Sequence, residues 1–213
     1  MVASRNGLIL ATLAMALTVV ASNYLVQFPF APLGLQDLLT WGAFTYPIAF
    51  LVTDLTNRKF GAHSARKVVF VGFALAVIWS IWVATPRIAI ASGTAFLTAQ
   101  LLDIFVFNKL RESRWWQAPL ISSFLGSSLD TLLFFGMAFA TSFALLDTSF
   151  GMQADAFPSD TAPFLLMEAV QAPRWISWAI GDYVVKLLVS LAMLAPYRAL
   201  INRSDKTDNM AAA

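Results

Sequence analysis

Five ionisable side chains lie where the surrounding sequence is almost wholly apolar: Asp54, Asp103, Asp130, Asp182 and Lys186. A charge at bilayer depth is costly, so such groups pair, face a cavity or carry a proton, and they mark ligand or ion paths by default. Asp130 is the sharpest case, because it falls near the middle of an apolar stretch in Ser127-Ser128-Leu129-Asp130-Thr131. Its alternative is a neutral structural carboxyl bonded to another helix. Asp182 and Lys186 are spaced i,i+4 on one helical face, in the order that favours an ion pair. They fit a packing pair and a ligand role equally, and Lys186 could instead answer Asp130 from the neighbouring helix.

Gln100 and Asp103 also share a face, at i,i+3. An amide beside a carboxylate can read the donor-bearing edge of a planar heterocycle. Asp54, flanked by Thr53 and followed by Arg58, is either a supporting group or a surface charge paired with Arg58 or Arg66. Asn23 and Gln27 form a polar stripe that suits a ligand or an interhelical hydrogen bond. Among 18 Phe residues, Phe50 and Phe134 stand one turn from Asp54 and Asp130 and are the candidate stacking surfaces. There is no cysteine and one histidine, His63, so thiol chemistry and thiolate or His-cluster metal sites are excluded. No metal and no cofactor is expected.

The elements that must position these groups follow from composition. Apolar residues make up 59% of the 213 and charged residues 12%, against about 45–50% and about 25% in soluble domains. Mean hydropathy is +0.70. Fourteen basic and twelve acidic side chains cannot cover a water-soluble globule of this length. That excludes an aqueous enzyme, a nucleic-acid-binding domain and a disordered chain. Apolar stretches at residues 8–27, 38–55, 68–84, 87–107, 118–146 and 175–201 predict six membrane helices, at about 20 residues per span.

The expected fold is therefore all-α and polytopic, a single membrane domain over residues 1–213 with a polar tail at 204–213. The first stretch mimics a signal peptide and is read as a retained helix. Gly42 and Pro47 suggest a broken second helix, the kind of backbone that lines substrate sites. Thr85-Pro86 forces a tight helical hairpin. In the long connection 147–174, the run Phe164-Leu165-Leu166-Met167 suggests a small interfacial helix. Eleven of the fourteen basic residues fall in one set of loops, and only Arg87 and Arg174 in the other. Cytoplasmic loops carry the Lys/Arg excess, so both termini are expected inside.

Several segments resemble the queuosine precursor transporters, also called the vitamin uptake transporter family. They are Ser22-Asn23-Tyr24-Leu25-Val26-Gln27, Thr40-Trp41-Gly42-Ala43-Phe44, Thr53-Asp54-Leu55-Thr56, Phe60-Gly61 with Ala65-Arg66, and Gln100-Leu101-Leu102-Asp103 with Val106-Phe107-Asn108. Trp115-Trp116-Gln117-Ala118-Pro119, Asp130-Thr131, and Asp182-Tyr183 with Lys186 continue the match in order to about residue 197.

The resemblance implies a six-helix importer of the inner membrane, not an enzyme. Its cargo would be 7-deazaguanine precursors of the tRNA base queuosine, the 7-cyano and 7-aminomethyl compounds. Partners are that small molecule and the lipid bilayer, with no direct nucleic acid; a homodimer is left open. Asp130, Gln100, Asp103, Asp182 and Lys186 would surround a central cavity, with Asn23, Gln27 and Asp54 supporting or gating and Phe50 and Phe134 stacking. Movement would be facilitated, or coupled to a proton on Asp130 or Asp103. The alternatives are a substrate-binding subunit of an energy-coupled importer and a membrane-embedded enzyme.

Overall fold

The structure is a computed structural model that describes residues 2–212, with side chains from 5 to 203. The polar tail expected at 204–213 lies outside the described side chains. The helices are α1 (Val2–Leu25), a four-residue α2 (Gly42–Thr45), α3 (Ile48–Val83), α4 (Pro86–Leu110), α5 (Gln117–Phe139), a short α6 (Leu145–Ser149) and α7 (Arg174–Ala212). Five stretches are long and apolar enough to cross a membrane: Arg5–Leu25, Gly42–Val83, Pro86–Leu110, Gln117–Phe139 and Arg174–Arg203.

The expected second and third spans fall within one of these. α3 breaks at Gly61, whose φ of 81° and ψ of 166° lie outside any helical region. Only glycine adopts that backbone without a large steric cost. The chain thus turns sharply between Phe60 and Ala62 with no loop at all. Phe60 packs on Gly7, where an added Cβ would come 2.6 Å from the ring. Pro47 separates α2 from α3 as the residue before the first helical turn, so the expected interruption of the second stretch is present.

In hydrocarbon, helices gain from close packing rather than from expelling water. The main core reflects this, with Ala49, Ala65 and Ala76 among Met15, Val19, Val68, Val69, Phe96 and Ile104 joining α1, α3 and α4. α3 and α4 are linked as expected by a two-residue turn. Thr85 caps α4 by accepting from the Ile88 N–H at 3.4 Å, and Pro86 opens the helix, which needs no N–H there.

Three features of the far end differ from expectation. The fifth apolar stretch does not run on to 146; α5 ends at Phe139, where Ala140 is extended. Arg87, counted as a loop charge, forms a buried ion pair with Asp147, at the start of the long connection, at 2.8 Å. Arg87 Nε also donates to the Met137 carbonyl at 2.8 Å and Nη2 to that of Ala140 at 2.5 Å, so it satisfies carbonyls left open at the end of α5. Finally, Phe164–Met167 is no helix. β1 (Thr161–Phe164) and β2 (Met167–Pro173) form an antiparallel hairpin in which Phe164 pairs with Met167. Leu165 and Leu166 are both left-handed, at φ 49° and 66°, the twist a two-residue hairpin turn requires. Four apolar residues are too few to offset the cost of starting a helix.

Arg58 and Arg111 interlock at the opposite end of the bundle, and Arg198 lies over the Trp115 ring at 4.8 Å. The bundle therefore has an arginine-rich end and a hairpin end.

Candidate functional site

α5 presents Ser122, Ser123, Gly126, Ser127, Asp130 and Thr131 on one buried stripe. The spacing i, i+1, i+4, i+5, i+8, i+9 keeps small and polar groups on a single helical face. That stripe meets the buried faces of α3 and α4 and, on its other side, α7. It organises two polar layers.

The layer nearer the hairpin end is an ion network. Lys186 Nζ lies 2.7 Å from Asp130 Oδ2 and 2.5 Å from Asp182 Oδ2. Tyr46 donates its hydroxyl to Asp130 Oδ1 at 3.2 Å, and its ring lies 5.2 Å from the Lys186 ammonium. Thr131 donates to Asp182 Oδ2 at 3.2 Å. Asp130 and Lys186 are 3% and 4% exposed. A buried charge needs such partners. Two carboxylates against one ammonium leave the layer one negative charge in excess. Beside it, Ser128 Oγ and the Tyr183 hydroxyl share a hydrogen bond of 2.8 Å that ties α5 to α7.

The layer nearer the arginine-rich end is built differently. Gln100 is fully buried and accepts from the Thr53 hydroxyl at 2.5 Å through Oε1, while its Nε2 has no partner. Asp103 is fully buried and finds no donor at either carboxylate oxygen. It sits against Asp54 and Ser122. Asp54 accepts from Ser122 at 3.3 Å. Asn57 donates Nδ2 to the Ile104 carbonyl at 3.2 Å and leaves Oδ1 unpartnered, as is Ser127 Oγ. Buried polar atoms are nearly always satisfied, so this concentration on α3, α4 and α5 marks a place where something else supplies the partners. A narrow cleft with about 10 Å³ of open space reaches Asp54 between α3, α5 and α7, lined by Pro47, Leu51, Ser123, Ser190 and Tyr197 among others.

The structure thus brings together seven of the ten sequence candidates, in two groups. Asp130, Asp182 and Lys186 form one; Gln100, Asp103 and Asp54 form the other, with Phe50 beside it. Phe50 is 1% exposed and packs on Gly126, where an added Cβ would come 2.7 Å from its ring. Asp54 has Ser122 as its partner, whereas Arg58 donates to the Arg111 carbonyl. Three candidates lie apart. Asn23 bonds to the Val19 carbonyl and Gln27 to that of Asn23, both within their own chain segment. Phe134 packs against Phe135 and Phe139 in an aromatic cluster that reaches Trp178. Residues that sequence reasoning passed over are Tyr46, Thr53, Asn57, Ser122 and Ser127. The small-polar periodicity of α5 was a readable signal for the last two.

Comparison with known proteins agrees on a transporter. The family model described as "Putative vitamin uptake transporter" matches residues 40–85 and 79–200. A queuosine precursor transporter of Escherichia coli (strain K12) is 37% identical, with the match covering 87% of this chain and 82% of its own length. Proteins named "Probable queuosine precursor transporter" from Haemophilus influenzae and Bacillus subtilis are 35% and 25% identical, over 86% and 74% of this chain and 82% and 69% of their own. No solved structure matches the chain.

Proposed function

This chain belongs to the vitamin uptake transporter family, and from that membership we propose that it imports queuosine precursors, the 7-cyano and 7-aminomethyl 7-deazaguanines, across the inner membrane. The observation that carries the site is Gln100. Its Oε1 is held by Thr53 while its buried Nε2 points to no acceptor. A free amide donor suits the carbonyl of a deazaguanine, and the negative excess of the Asp130–Asp182–Lys186 layer suits its ring N–H and exocyclic amine. Phe50 offers a flat apolar face between the two layers. Leaving any of these donors unpaired in a buried site would cost about 1–3 kcal/mol each.

In this reading the arginine-rich end faces the cytoplasm, which places both termini inside. The precursor enters at the hairpin end and leaves at the other by alternating access, either downhill or coupled to protons. The Lys186 bridge between two carboxylates is then the resting contact that a substrate loosens.

The test uses a bacterium lacking both precursor synthesis and its own importer, fed limiting precursor. Expression of this chain should restore queuosine to tRNA, and Gln100→Ala should cut initial uptake about tenfold, the equivalent of about 1.4 kcal/mol of binding. No recovery despite confirmed membrane expression would overturn the reading.

A further inference from the structure

Asp54 and Asp103 are 2% and 0% exposed and face one another from α3 and α4. The Ser122 hydroxyl donates to Asp54 at 3.3 Å, with Ser123 beside it, and neither is a cation. As two ionised carboxylates they would sit in contact with no cation between them, and Asp103 would accept nothing at either oxygen. Two like charges so placed cannot both be ionised in a medium of low dielectric. One added proton changes this completely: it gives Asp103 its missing partner, and that partner is Asp54.

The other groups around the pair do not supply a counter-charge. Tyr197 of α7 approaches Asp54 with a neutral phenol. Arg58, on the next turn of α3, and Arg111 are turned to each other's backbone carbonyls at 2.6 and 2.5 Å. Ser122 and Ser123 of α5 and Asn57 of α3 are uncharged. The contrast with Asp130 is direct, since Lys186 already neutralises that carboxylate.

The pair also borders a space large enough for about one water. The cleft between α3, α5 and α7 borders Asp54, and it is lined by Ser190, whose Oγ is buried and unpartnered. An unpartnered hydroxyl in the wall of a cleft that borders a carboxyl gives a water there a second polar partner.

We propose that Asp54 and Asp103 form a proton-binding site beside this cleft, and that the proton they share is the one whose movement drives import. The site itself stands on the geometry alone; the coupling rests on the import reading above.

Two measurements on the purified full-length protein test these parts separately. Infrared spectra at neutral pH should show the carbonyl stretch of a protonated, buried carboxyl, absent from the Asp54→Asn/Asp103→Asn double variant. Asp54→Glu, which keeps a carboxyl, should shift that band. A band missing from the wild type, retained in the double variant or unmoved by Asp54→Glu overturns the proton site. In proteoliposomes, an alkaline interior should drive 7-cyano-7-deazaguanine above its external concentration, up to about tenfold per pH unit for one proton per molecule. Filling only to equilibrium, or accumulation that follows sodium rather than protons, overturns the coupling and leaves the import reading intact. Absence of any precursor transport by folded wild type overturns the import reading, and the infrared result still decides the carboxyl pair.

Discussion

Lys186 reaches across the α5–α7 seam to place its ammonium 2.7 Å from Asp130, and it does so while holding Asp182, one turn back on its own helix, at 2.5 Å. One ammonium therefore bridges two buried carboxylates. Removing it strands both. Breaking a buried ion pair from one side costs about 3–5 kcal/mol, so Lys186→Met should lower the Tm by on the order of 10 °C. Lys186→Met/Asp130→Asn, which leaves fewer uncompensated charges, should recover part of that. Thermal unfolding followed by tryptophan fluorescence checks both, and equal Tm values for wild type and Lys186→Met would show the network to be idle.

At the hairpin end the same reasoning applies to a different pair. Asp147→Asn leaves the Arg87 guanidinium buried with two backbone carbonyls and no counter-charge. We expect a loss of about 3–5 kcal/mol and faster protease cleavage in the exposed segment 151–156. Cleavage kinetics matching wild type would argue against a clamp.

Gly126 bears on the site directly. An added side chain there meets the Phe50 ring at 2.7 Å, within a helix seam that has no slack. Gly126→Val should reduce uptake at least tenfold at wild-type membrane levels, and Gly126→Val/Phe50→Ala should restore part of it by vacating the space. If the double variant is no better than the single, the collision is not the cause.

Orientation can be read without altering any working residue, because the chain has no native cysteine. In intact cells a membrane-impermeant maleimide should label Gln153→Cys, which is exposed at the hairpin end, and spare Ser113→Cys, which is exposed at the arginine-rich end. The reverse pattern would invert the proposed topology.

How far the sequence could be read depended on the range of the interaction. The Asp182–Lys186 pair is local, and helical spacing alone places both on one face. The apolar stretches and the Thr85-Pro86 turn are local as well: the helices stand where the stretches lie, although the second and third are joined in one element and the fifth ends at Phe139. Asp130–Lys186 and Asp54–Asp103 join different helices, so they depend on how each helix is rotated about its axis, which spacing within one helix does not specify. Arg87 and Asp147 misled for a related reason: at the end of a span a charge looks like a loop residue until its partner is brought over it. The hairpin at 161–173 was missed because its turn is made by two leucines in left-handed conformations, where turn chemistry usually calls for glycine or asparagine.

Gly61 has a consequence for how the chain is made. Residues Gly42–Val83 form one apolar element with no connecting loop, and the part before the break, residues 42–60, is about 28 Å long at 1.5 Å per residue. That is close to the thickness of the hydrocarbon core. The two limbs therefore have no polar linker between them to hold one outside the bilayer while the other enters, so the way this pair is inserted, as well as its final fold, turns on a single residue without a side chain.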